Sequence, residues 1–121
     1  MTSTQKKTLP TAPFYRWQQS GQQQLATFLA HGARHGLPPL TWTLAPTGAL
    51  TGEADGLSHP TPQDQRSAVE QWAAHVGATV TRRTTRDGRE ELYAGWKTGQ
   101  GVGEVGGCFR ATIFPDDEED A

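Results

Sequence analysis

The run from Thr79 to Lys97 constrains this chain more than any other, because Asp87-Gly88 stands at its centre between two alternating arms. Asp-Gly suits a two-residue hairpin turn, which needs positive φ at both central positions. Such a turn sets Arg86 opposite Arg89, Thr84 opposite Glu91, Arg83 opposite Leu92, Arg82 opposite Tyr93 and Thr81 opposite Ala94. One face of the ribbon then carries Leu92, Ala94 and Trp96 against Arg83, Thr81 and Thr79. The other carries Tyr93 and Glu91 against Arg82 and Thr84. The expectation is a half-buried antiparallel ribbon with an outer face rich in arginine, and Arg82, Arg86, Arg89 and Tyr93 are its candidate contact residues.

The rest of the chain must supply a core from little material. Leu, Ile, Val and Phe number 19 of 121 residues, below the level of roughly one-fifth at which disorder becomes a real alternative. The large net charge that accompanies disorder is missing, at −2. One folded domain with loose ends follows, its four Trp carrying much of the packing. Five acids at 116 to 120 leave residues 1 to 115 with 11 basic groups against 8 acidic ones, too mild a balance to announce a nucleic-acid binder. A single cysteine, Cys108, excludes an internal disulfide and fits a reducing compartment. Lys6 and Lys7 precede no apolar segment of the secretory kind, and no run is long enough to cross a bilayer. The expected location is the cytoplasm.

Residues 1 to 13 show no periodicity and read as a flexible arm, 14 to 115 as a single domain, and 116 to 121 as an acidic disordered tail. From Phe14, the residues Phe14, Trp17, Gly21, Leu25, Phe28 and Leu29 fall near one helical stripe, which Gly32, Gly36 and Pro38-Pro39 should stop. Leu40 to Leu44 alternates and returns from Ala49 after Pro46-Thr47-Gly48. A three-residue loop with Gly48 left-handed pairs Leu44 with Leu50, Trp42 with Gly52 and Leu40 with Ala54, so the large apolar groups share a face. Thr61-Pro62-Gln63-Asp64 opens a second helix with an N-cap, an N1 proline and a first-turn acid. Its stripe is Val69, Trp72, Ala73 and Val76, and Gly77 ends it. Cys108 to Phe114 reads as the last strand. The fold class is therefore α+β: a two-layer sandwich in the order α-β-β-α-β-β-β, with a five-stranded, mostly antiparallel sheet and two helices on one face.

No motif forces a chemistry. Gly101 to Gly106 spells G-x-G-x-x-G, but the dinucleotide site needs that loop to open a helix, and here it opens a strand. His31 and His35 stand four apart, as two zinc ligands on a helix would, yet a third ligand is needed and nothing in the sequence brings His59 or His75 near. Cys108 with His75, or Ser67 with His75 and Asp64, could make a catalytic set only by geometry that spacing does not supply. Cys108 reads instead as a small buried hydrophobe. Glu90 and Glu91 point to opposite faces and cannot share a site. No catalytic residue, cofactor or metal is assigned.

Leu37 to Trp42, the return strand from Gly48 to Gly52, the Glu70-Gln71-Trp72-Ala73 helix and the closing strand resemble small uncharacterised proteins of high-GC actinobacteria and of their phages, plasmids and integrative elements. The likeness spans residues 37 to 115, rests on structural motifs and carries over no site residue. It implies an accessory protein of a mobile element or its host. The expected function is a small non-enzymatic interaction module, binding a protein partner or itself through a sheet edge or the arginine and aromatic face. Nucleic-acid binding by the hairpin 82 to 89 is the alternative reading. An enzyme with a site not recognised in the sequence is the third.

Overall fold

The computed structural model describes residues 11–98 and 104–115. Among the described residues the elements follow one another as α1 (Ala12–His35), β1 (Thr41–Leu44), β2 (Leu50–Glu53), α2 (Pro62–Val76), β3 (Thr81–Thr84), β4 (Glu90–Thr98) and β5 (Val105–Ile113). This is the α+β order expected. The strands form one sheet in the order β1-β2-β5-β4-β3, antiparallel throughout except where β5 runs parallel to β2.

β5 is central because it can be buried. Val105, Phe109, Ala111 and Ile113 alternate along it and are all buried. It starts at Val105, three residues earlier than its apolar composition suggested, so the end of the G-x-G-x-x-G segment is strand. Residues 101–103 lie outside the described residues, as do the acidic tail and most of the expected N-terminal arm. Ala12 and Pro13 belong to α1 rather than to an arm, since Pro13 at the second helical position loses no hydrogen bond the helix could have made. Gly32 does not stop α1, which runs on to Gly36 at φ 65°.

Both helices lie on the same side of the sheet. Phe28 of α1 sits among rings from four other elements: Trp42 of β1 at 5.6 Å between centroids, Trp72 of α2 at 5.6 Å, Trp96 of β4 at 5.0 Å and Phe109 of β5 at 5.7 Å. The α1 stripe read from the sequence is in fact narrow, with Phe28 and Gly21 buried while Leu29 is 54% exposed and Trp17 43%. α2 conforms to its signals. Thr61 Oγ1 accepts from the Asp64 amide at 3.1 Å, Pro62 opens the helix and Gly77 closes it at φ 75°. Buried Gln65 adds what the stripe did not show: its Nε2 donates to the carbonyls of Ala54 at 3.1 Å and Thr112 at 3.3 Å, tying the helix to two strand ends. The Leu37–Leu40 connection is held from the same side, by Trp72 Nε1 donating to the Pro38 carbonyl at 2.7 Å and His59 Nε2 to that of Pro39 at 2.6 Å. Because a carbonyl only accepts, the His59 proton lies on Nε2.

The first hairpin has the expected register, Leu44 opposite Leu50 and Trp42 opposite Gly52, with Gly48 at φ 86°. Gly48 is fixed twice over, since a β-carbon there would stand 2.4 Å from the Trp17 carbonyl oxygen. This is where α1 rests on the β1–β2 turn.

The second hairpin departs from expectation by one residue. Thr81 faces Tyr93, Arg82 faces Leu92, Arg83 faces Glu91 and Thr84 faces Glu90. The loop is the three-residue Arg86-Asp87-Gly88, closed by the Thr85 amide donating to the Arg89 carbonyl at 2.8 Å and the Gly88 amide to that of Thr85 at 3.0 Å. Only Gly88 of this loop is left-handed, at φ 88°, and no non-glycine residue among the described ones has positive φ. A two-residue turn would place Asp87 in that region too, which an aspartate tolerates, so the turn dipeptide does not itself decide between the loops. The register adopted also places Ala78 and Val80 against the core, which the alternative would have turned outward.

Two substitutions separate the buried seam of α1 from its exposed flank. Phe28→Ala is expected to lose about 3–5 kcal/mol in urea unfolding, the range for truncating a buried aromatic. Leu29→Ala, one residue away, should stay within about 0.5 kcal/mol of the parent. Gly48→Ala should cost about 2 kcal/mol or more, combining left-handed strain with the clash against α1.

Candidate interaction surface

With both helices on one side, the other face of the sheet is uncovered. Alternation decides what it displays. The register lines up Thr41, Glu53, Arg110, Tyr93 and Thr81 as one row across all five strands. On one side of that row lie Arg83, Glu91 and Thr112, and on the other Thr43, Thr51, Cys108 and Gly95, followed by Lys97 opposite Gly106.

Tyr93 is 52% exposed and divides this surface. Its ring leans along the strand over Gly95, so close that a β-carbon at Gly95 would lie 3.2 Å from it. A depression of about 470 Å³ lies on one side, lined by Thr81, Arg83, Glu91, Tyr93, Arg110 and Thr112 among others. A shallower one of about 410 Å³ lies on the other, lined by Tyr93, Gly95, Lys97 and Gly106 among others.

The cations on this face are matched by acids. Arg83 pairs with Glu91 at 2.5 Å, Arg110 with Glu53 at 3.5 Å and Lys97 with Glu104 at 3.6 Å. These pairs are open to solvent and contribute little to stability, but they keep the surface close to neutral.

The four contact residues expected from the sequence do not form one surface. The register shift turns Arg82 to the helix side, where it pairs with Glu70 of α2 and stands 3.8 Å from Glu90. Arg89 turns back into its own loop, 3.1 Å from Asp87, and Arg86 stands exposed at the hairpin tip. Only Tyr93 lies on the open sheet as expected. Arg83 and Arg110 take the place expected for Arg82. Arg110 was legible in the alternation of β5, since Phe109 inward forces Arg110 outward, but its position beside Tyr93 depends on strand order.

Glu90 and Glu91 do serve opposite faces. Glu90 receives Arg66 in a forked grip at 2.8, 3.1 and 3.2 Å, and that hydrogen bonding, with the charges of Arg66 and Arg82, holds its carboxyl below the usual range. Thr85 donating to Asp87 lowers that carboxyl in the same direction, and Thr41 does so for Asp55.

The catalytic sets considered from the sequence are not assembled. Cys108 lies on the open sheet face, half-buried rather than buried, its sulfur 3.9 Å from Thr51 Oγ1, while His75 is on the helix side. Asp64 and His75 stand at opposite ends of α2, and Ser67 accepts from Gln71 at 2.9 Å. One expectation is overturned: His75 does come to His31, with Nδ1 of one and Nε2 of the other 2.9 Å apart. No helix among the described residues is long and apolar enough to cross a membrane.

A folded carboxyl held below its usual range stabilises the protein above the free-acid pKa of 4.5 and loses that contribution as acid protonates it. Glu90→Gln should therefore lower stability at neutral pH by about 1 kcal/mol. It should also flatten the decline of stability below about pH 4.5, measured by urea unfolding across pH. Comparison with protein-family models, with curated proteins and with solved structures finds no match.

Proposed function

We propose that the chain is a small non-enzymatic binding module whose open sheet face receives a protein partner, with Tyr93 as the anchor. The carrying observation is the uncovered face, on which a half-exposed tyrosine separates two depressions while Arg83, Arg110 and Lys97 each have a carboxylate beside them. A surface built for phosphates would leave its positive charge unmatched, because affinity there comes from releasing the counterions of the nucleic acid. A near-neutral face of threonines, glycines and one aromatic suits instead a protein surface that supplies hydrogen bonds around an apolar centre. The sheet edges fit this less well. β3 is short and carries Arg82 and Arg83, the kind of charged edge that discourages strand addition. We further propose, on the sequence resemblance alone, a cytoplasmic accessory role in which the partner rather than this chain performs the chemistry.

Affinity capture from the native host tests this, with half of each sample treated with nuclease. A protein partner should survive nuclease, and Tyr93→Ala with Arg110→Ala should weaken its retention about tenfold or more, as loss of an interface hot spot does. Recovery that collapses with nuclease would transfer the function to nucleic acid. Retention unchanged in the double variant would move the contact off this face.

A further inference from the structure

At the opposite side of the molecule, the ends of the two helices bring together three imidazoles that are far apart in the sequence. His31 and His35 lie one turn apart at the end of α1, and His75 is in the last turn of α2. Their ring centroids are 5.0 Å apart for His31 and His75, 5.6 Å for His35 and His75, and 6.3 Å for His31 and His35. We propose that His31, His35 and His75 form a site for a single divalent zinc-type ion, three imidazole nitrogens holding it and the fourth position open to water or a ligand.

The spacing argues for chelation. Two nitrogens on a tetrahedral zinc ion, each about 2.0–2.1 Å from the metal, stand about 3.3 Å apart. His31 Nδ1 and His75 Nε2 are already 2.9 Å apart, so the ion enters with a small separation of the rings and a turn of each that redirects its nitrogen from the other ring to the ion. In the metal-free pair one of these nitrogens must carry the proton that the other accepts. Metal binding moves that proton to the second nitrogen of its own ring, a tautomer change with no net loss.

As the side chains stand, no group of three His, Cys, Asp or Glu among the described residues could hold a metal ion. His35 accounts for the difference. It is exposed and is the last residue of α1, so its ring can turn about the Cα–Cβ bond without disturbing packing. The backbone already places it correctly, because positions four apart share a helix face.

The surroundings favour a cation. Two helix C-termini lie at the cluster, each carrying partial negative charge from carbonyls without helical partners. Burial, with the neighbouring His31 and His35, pushes the His75 pKa down. Trp72 packs edge-on against His75 at 5.9 Å and fixes its position. The opposing charge is Arg34 in the last turn of α1, which is exposed and free to extend into solvent.

The test is titration of the full chain, without a polyhistidine tag, with zinc chloride by calorimetry and with cobalt by visible absorption. The expected result is one equivalent bound, with the intense visible bands of four-coordinate cobalt. His35→Ala and His75→Ala should each weaken zinc binding at least tenfold. Binding should weaken in acid, because protons and the ion compete for the same nitrogens. Far-UV circular dichroism checks the fold, and His75→Asn replaces the alanine variant if that one is unfolded. Absence of stoichiometric zinc binding would overturn the proposal, and so would affinity unchanged in the His75 variant, since a site elsewhere would then hold the ion.

Discussion

The fold depends on the packing of Phe28 against rings that arrive from every other large element. With so few aliphatic residues, the chain cannot build a core by volume alone, and it concentrates burial in aromatic side chains that each remove a large apolar area from water. One ring comes from each of α1, β1, α2, β4 and β5, so these five elements meet at one centre. The aliphatic contribution is arranged around this centre, Leu50, Val69 and Leu92 being fully buried at its margins. The fourth tryptophan, Trp17, stays outside. It meets Phe14 edge-on at 5.0 Å on the exposed part of α1.

Local chemistry made much of this readable in advance, and the two hairpins mark where it stopped. At Pro46-Thr47-Gly48 the loop length that puts every large apolar residue on one face is the one the structure adopts. At Asp87-Gly88 the dipeptide's preference for a two-residue turn points the other way. Placing Val80 on the side of Ala94 requires the three-residue loop with Gly88 left-handed. The pattern on the strands outweighs the identity of the turn, because burial of several side chains is at stake against the modest preference of one loop type. Both hairpins in fact use the same loop geometry, with a single glycine at the third position.

What the sequence withheld was the arrangement of distant segments. Nothing local indicates that β5 inserts between β2 and β4, and that insertion alone sets Arg110 beside Tyr93 and makes one row across five strands. The same holds for His75. Its distance along the chain from His31 gave no sign of proximity, and only the packing of both helices on one face brings their C-terminal ends together. α2, by contrast, was legible from start to finish, since its cap, first proline, apolar stripe and terminal glycine are all signals within a few residues of one another.

The division of charge between the two faces of the hairpin bears directly on what the molecule can bind. Arg82 and Arg83 are neighbours in sequence, as are Glu90 and Glu91, and the pleat sends one member of each pair to each face. On the helix side, Arg66, Arg82, Glu70 and Glu90 form a linked set that fastens α2 to the sheet. On the open side, Arg83 and Glu91 cancel across the same two strands. The arginine-rich ribbon of the sequence is thereby converted into one helix-side clamp and one neutral surface. A mildly basic stretch can thus serve architecture on one side and offer the other, with little net charge, to a partner that recognises shape and hydrogen bonding rather than phosphate.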